Sequence, residues 1–235
     1  MASAPPSYQP VATLDEQTRS DFVVRVYQHL VLAVVAFAGI EALFLNTGVA
    51  EGIYNFLAGR SAAWLLILGG FLIVNWLATT AAHDLGNVNK QYAGLFALAV
   101  AEAVIFAPFL HLVFNVRDSG STVWAAAFVT AVGFGGLSAV AYTTRKDLSF
   151  LRPMVMWGFV AALVLIVAAV LFGFNLGVWF SVAMIALAGA SILYQTQVIM
   201  REYPAGAYVG AAVQLFAAVM LLFWYVLRLF EQVRR

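Results

Sequence analysis

YVGAAVQLFAAVMLLFWYVLRLF, residues 208–230, runs for about 23 positions with one charge, Arg228. That length fits a bilayer. A hydrocarbon core about 30 Å thick needs about 20 residues at a helical rise of 1.5 Å, and lipid offers the backbone no hydrogen-bond partner, so such a run must be a helix. Working back along the chain, the same criterion places spans at residues 24–46, 62–82, 92–114, 123–142, 153–172 and 176–200. The expectation is an all-α integral membrane protein with seven transmembrane helices. A composition of 64% hydrophobic and 10% charged residues, with mean hydropathy +0.93, excludes a soluble domain, which carries about 25% charged residues.

The 235 residues leave room for one membrane domain, residues 21–235, and no soluble catalytic or nucleic-acid-binding domain. Residues 1–20 contain Pro5, Pro6 and Pro10 among small and polar residues and lack the apolar mass to fold, so they read as a disordered arm. The order of a cleavable signal peptide is missing from them. Without cysteine there is neither a disulfide framework nor a thiolate metal site. A net charge of +1 gives no reason to expect a polyanion partner. Basic residues favour cytoplasmic loops. Placing the N-terminus inside puts Arg19, Arg25, Lys90, Arg145, Lys146, Arg152 and Arg201 on the cytoplasmic side. The basic C-terminal end then falls outside unless the last run is re-entrant, and its length favours a full span.

Intramembrane polar residues are the candidates for function. Glu41 and Glu102 are the two carboxylates clearly inside spans, where a bare charge costs several kcal/mol unless it is protonated or paired. Both should face the bundle interior, Glu102 as the stronger proton or cation ligand. The plainer alternative is a protonated acid bonded to a neighbouring helix. Asn75, Thr79 and His83 recur at i, i+4 and i+8, one stripe that could line a hydrated path with His83 and Asp84 at its cytoplasmic mouth; interhelical bonding explains the stripe equally. Gln195 and Gln214 are placed to bond each other. Gly133, Gly135, Gly136 and Gly189 read as close-packing positions, and Pro108 as a kink that frees a carbonyl near Glu102. His29, His83 and His111 fall on three runs without the paired spacing of a zinc-protease helix, so neither a catalytic site, a metal nor a cofactor is expected.

AYTTRKDLSFL at residues 141–151, after GFGGLS at 133–138, resembles the Bax inhibitor-1 family. FVVRVYQHLVLAVVAF (22–37), ILYQTQVIM (192–200) and the run at 208–230 are similar to its opening and its last two helices, in order, and most of all to its bacterial YccA-like branch. The resemblance implies six helices around a central seventh in a bacterial inner membrane. It also implies association with a membrane-anchored AAA+ protease of the FtsH type, for which the arm would be a handle, or a pH-controlled leak of calcium or protons. Family members carry an acid pair on the sixth and seventh helices; here the matching positions are Gln195, ahead of Thr196, and Ala218. Neither titrates. Arg152 and Pro153 stand where the family often has two glycines, while Arg145, Lys146 and Asp147 keep its loop. The resemblance therefore puts first the modulation of membrane-protein quality control, through an FtsH-type protease or another membrane complex, and, as the alternative, a leak resting on Glu102 and Glu41.

Overall fold

The structure, a computed structural model, describes residues 9–117, 119–144 and 146–234, with the backbone alone at residue 61. Its helices are α1 (Glu16–Asn46), α2 (Val49–Leu57), α3 (Ser61–Ala82), α4 (Val88–His111), α5 (Gly120–Thr143), α6 (Leu151–Phe172), α7 (Gly177–Glu202) and α8 (Tyr208–Val233). Seven of them are long and apolar enough to cross a bilayer. The eighth, α2, is nine residues long. It follows Gly48, whose φ of +79° reverses the chain, and it packs on α4 with Ala50 and Leu57 buried.

The bundle is built around α8. In its most apolar stretch 67% of residues are buried, against 56% in the α4 span and 11% in α3 and α6, so α8 is the axis and α3 and α6 face lipid. Small residues at Gly210, Ala211, Ala212 and Ala218 let neighbouring helices close on it. Aromatic rings fill the space higher up: Phe106 of α4 stacks on Phe223 at 5.4 Å and meets Trp224 edge-on at 5.0 Å. Such pairs add about 0.5–1.5 kcal/mol beyond the area they bury. Helix α8 is continuous to Val233, and its end bonds to the loop before α5 through Arg117–Glu231 at 2.6 Å and to the first turn of α5 through Arg234–Thr122 at 2.7 Å. The last run is a full span, not a re-entrant one. Its end lies on the face opposite the start of α1.

The N-terminal arm is corrected in part. Residues 1–8 lie outside the described ones, but from Gln9 onward the chain is docked. The Val11 amide donates to the Tyr203 carbonyl at 2.8 Å, the Ala205 amide to the Gln9 carbonyl at 3.3 Å, and the Val11 side chain is fully buried. Helix α1 then begins at Glu16, inside the expected arm. Asp15 caps it by accepting from the Thr18 amide at 2.9 Å and the Thr18 hydroxyl at 2.7 Å. One apolar side chain and one cap outweighed the polar composition.

The close-packing glycines divide: a Cβ at Gly189 would lie 3.3 Å from Leu137 and one at Gly133 3.9 Å from Leu222, so these two do face a neighbouring helix, while the other two do not. A Cβ at Gly135 or Gly136 would meet nothing within 4 Å, whereas one at Gly94 would lie 2.5 Å from the Ala78 carbonyl oxygen and one at Gly210 3.0 Å from that of Ala82. Approach of backbone to backbone happens at the α3–α4 and α3–α8 crossings. Pro108 lies inside α4, which passes directly into a π-helical turn, Leu112–Val116.

Candidate functional site

Five helices, α3, α4, α6, α7 and α8, line a cavity of about 910 Å³. Along α3 it is lined from Trp64 to Thr79, so at 1.5 Å per residue it follows about 22 Å of a helix that crosses about 30 Å of hydrocarbon. Most of the wall is apolar. Toward one end stand Glu102 from α4, Asn75 and Thr79 from α3, Ser191 and Gln195 from α7, and Gln214 from α8, with Asn175 and Arg228 at the other. Among the described lining residues Glu102 is the single carboxylate, and it is 5% exposed.

The positions that match the family's acid pair, Gln195 and Ala218, line this same cavity. A carboxylate is thus present in the space they face, carried by α4 instead of α7 or α8. Gln195 Nε2 donates to Ser191 Oγ at 3.0 Å, so the expected bond between Gln195 and Gln214 is replaced by one within α7. The Gln195 Oε1 and Thr196 Oγ1 atoms are buried without a partner.

The polar stripe on α3 is divided. Asn75 and Thr79 line the cavity, but His83 turns toward the N-terminal end of the bundle. Its Nδ1 lies 2.7 Å from the Thr79 carbonyl, which can only accept, so Nδ1 carries the proton. In the neutral ring Nε2 then accepts from the Tyr203 hydroxyl at 2.9 Å. The ring is therefore a latch between α3 and the α7–α8 turn, above which the docked segment at Val11 is tied. Asp84 does not join the path either. It pairs with Lys90 at 3.0 Å and accepts from the Gly86 amide, and the Lys90 bond is the main cause that holds its carboxyl below the ordinary range.

Glu41 is buried on α1, 4% exposed, with neither carboxylate oxygen hydrogen-bonded. It lies away from the cavity lining, so the structure does not bring Glu41 and Glu102 into one site. In the family-motif loop Arg145 lies outside the described residues. Asp147 is exposed, accepts from the Ser149 amide at 2.9 Å, which lowers its pKa, and stands 3.9 Å from Arg201. The residue that orders this loop was not anticipated. Gln197, buried on α7, accepts from the Leu148 amide at 2.7 Å and donates to the Lys146 carbonyl at 2.8 Å. A glutamine two positions beyond Gln195 gave no sign in sequence of reaching another element.

Among the described residues no three His, Cys, Asp or Glu side chains gather as a metal site. An all-helical bundle of seven spans around a buried axis, with a polar cluster inside the membrane, defines an integral membrane protein. The family described as inhibitor of apoptosis-promoting Bax1 matches residues 19–235, and the chain belongs to this Bax inhibitor-1 family. Similar bacterial proteins, themselves uncharacterized, include one from Helicobacter pylori, 27% identical over 233 residues that cover 95% of this chain and 91% of the relative. One from Neisseria meningitidis is 23% identical over 88% of both chains. Another, from Pseudomonas aeruginosa, is 32% identical over 138 residues, 57% of this chain and 61% of that relative.

Proposed function

We propose that this protein passes protons or small cations across a bacterial inner membrane through the cavity, with Glu102 as the exchanging carboxylate and without enzymatic chemistry. The observation that supports this most directly is the placement of Glu102 on the cavity wall beside Asn75, Thr79, Ser191, Gln195 and Gln214. A carboxylate held inside a membrane span is costly and marks an ion or proton path by default, and oxygen and amide groups nearby can replace part of a cation's water. The His83–Tyr203 latch closes the bundle one turn beyond Thr79, on the N-terminal side, taken as cytoplasmic. Reconstitution into liposomes with a pH or calcium reporter tests the reading. Wild-type protein should leak with a pH dependence that Glu102→Gln removes; wild-type flux no greater than that of empty liposomes at every pH sinks it.

A second reading rests on the N-terminal segment. Docked through Val11 and Gln9 on the α7–α8 turn, this segment could be lifted off by a membrane-anchored AAA+ protease, so that binding the protease and opening the latch become one event. Deleting residues 1–20 should then abolish co-purification with the protease. Undiminished co-purification excludes this second reading and leaves the first untouched.

A further inference from the structure

The opposite end of the cavity holds a different chemistry. There it meets a second cavity of about 360 Å³, and Trp64, Asn175, Trp224 and Arg228 line both. Arg228 is half-buried, with its guanidinium 6.0 Å from the Phe180 ring centre, and among the described residues it has no ion-pair partner. The smaller cavity is also lined by Glu231 and Arg117. Glu231 Oε2 takes the Arg117 bond at 2.6 Å, while its Oε1 is buried with no hydrogen-bond partner. Among the described residues lining the smaller cavity, two guanidiniums against one carboxylate leave one surplus positive charge, beside an acceptor that lacks a donor.

The apolar body of the large cavity is open to lipid. Leu72 of α3 and Val160 of α6 both line it, yet are 43% and 47% exposed on the surface of the bundle. The opening between α3 and α6 therefore faces the hydrocarbon, and two tryptophans stand where the polar end begins, a depth at which indole is favoured. A volume of about 910 Å³ lies within the range of pockets that bury most of a ligand, about 300–1,000 Å³.

We propose that this junction binds an acidic phospholipid with a hydroxylated headgroup. Its phosphate sits on Arg228, a headgroup hydroxyl donates to Glu231 Oε1, and one acyl chain lies between α3 and α6. Each part answers one observation: the surplus guanidinium selects a phosphate, the bare acceptor selects a hydroxyl, and the lateral cleft admits a chain from the membrane. The chain would complete the wall of the cavity on its lipid side. Parallel helices α4 and α8 are in register where Phe106 meets Trp224; Glu102 lies four residues before that level and Arg228 four after it, so about 12 Å of rise separates them. The lipid site does not depend on whether Glu102 passes ions.

Native mass spectrometry of the full-length protein in mild detergent tests it, with phosphatidylglycerol, phosphatidylcholine and sn-glycerol 3-phosphate added separately. Phosphatidylglycerol should bind at least about tenfold more tightly than phosphatidylcholine, and Arg228→Gln should remove that preference. Ala169 of α6 also lines the large cavity; Ala169→Phe, which fills the cleft and leaves Arg228 in place, should weaken both lipids and decides the matter if the arginine variant does not fold. Equal affinity of the wild type for the two lipids overturns the proposal. So does phosphatidylglycerol binding that survives both substitutions, or glycerol phosphate binding as tight as the lipid, which would make the site one for soluble phosphates.

Discussion

The Tyr203 hydroxyl lies 2.9 Å from His83 Nε2, to which it donates when the ring is neutral, joining the end of α3 to the α7–α8 turn. Burial raises the Tyr203 pKa from its ordinary 10.0 to about 12. The sign follows: the folded state holds this proton more tightly than the unfolded chain, so the stabilisation is complete below about pH 10 and is lost as pH rises toward about 12. Tyr203→Phe should cost about 0.5–1.5 kcal/mol at neutral pH for the lost bond. Its thermal midpoint should then fall less steeply than that of the wild type through the alkaline window. Identical slopes would show that the proton on Tyr203 is not what the fold retains.

Val11 anchors the docked N-terminal segment to the same turn, fully buried and bonded through its amide to the Tyr203 carbonyl. Val11→Asp puts a carboxylate in that apolar site at a cost of several kcal/mol, far more than undocking a short segment requires. The segment should release while the bundle stays folded. Limited proteolysis near Thr13 should accelerate with little change in the main unfolding transition; unchanged cleavage would mean that backbone pairing alone holds the segment.

Gln197 closes the family-motif loop with two bonds to main-chain atoms, at 2.7 and 2.8 Å. Gln197→Ala leaves the Leu148 amide and the Lys146 carbonyl without those partners, and an unmet polar group in a partly buried site costs about 1–3 kcal/mol. Tryptic cleavage after Lys146 should rise and the melting midpoint should fall. Gln197→Glu, which keeps the acceptor for Leu148 but loses the donor to Lys146, should lie between the two. If it matches the alanine variant, the Lys146 bond is the one that matters.

The seven spans were legible because hydrocarbon thickness dictates their length and lipid forces helix; neither depends on neighbours. What contacts decide was hidden. Gly94 and Gly135 look alike in sequence, but only Gly94 lies against another backbone. Asn75, Thr79 and Glu102 each read in the sequence as an interior polar residue, and that they share a cavity with Gln195 and Ala218 is a fact of three-dimensional register. His83 belonged to the stripe by spacing, yet the helix ends one residue before it, and a ring in the capping position turns to the nearest hydroxyl. Composition conceals the docked segment because it averages over twenty residues, whereas docking rests on one buried valine and two main-chain bonds.

Gly94→Ala and Gly135→Ala should therefore have opposite effects. In a helix interior alanine is favoured over glycine by about 1 kcal/mol. At Gly135, with nothing within 4 Å, that gain should appear as a higher melting midpoint. At Gly94 the added carbon meets the Ala78 carbonyl oxygen at 2.5 Å, and forcing α3 from α4 costs about 1–3 kcal/mol. Because α3 carries Asn75 and Thr79, the Gly94 variant should also disturb any flux. Equal stability of the two variants would show that the α3–α4 crossing yields without cost.

The two buried acids provide the sharpest contrast. Glu102 opens on the cavity, and Glu41 is enclosed with both oxygens unpartnered. Glutamine keeps the shape and removes the exchangeable proton, so Glu102→Gln should lower flux in liposomes by about tenfold or more, the scale of losing a positioned proton-transfer group at about 10²–10⁴ when that step limits the rate. The fold should be undisturbed, since the amide can bond within the polar cluster. Glu41→Gln replaces a buried carboxyl group whose two oxygens have no hydrogen-bond partner, and removing its potential charge relieves the cost of burying it. Its melting midpoint should stay the same or rise, and its flux should match that of the wild type. The reverse pattern, flux lost with Glu41 and kept without Glu102, would move the path from the α3–α4–α8 cavity to α1 and leave the cavity as a lipid site alone.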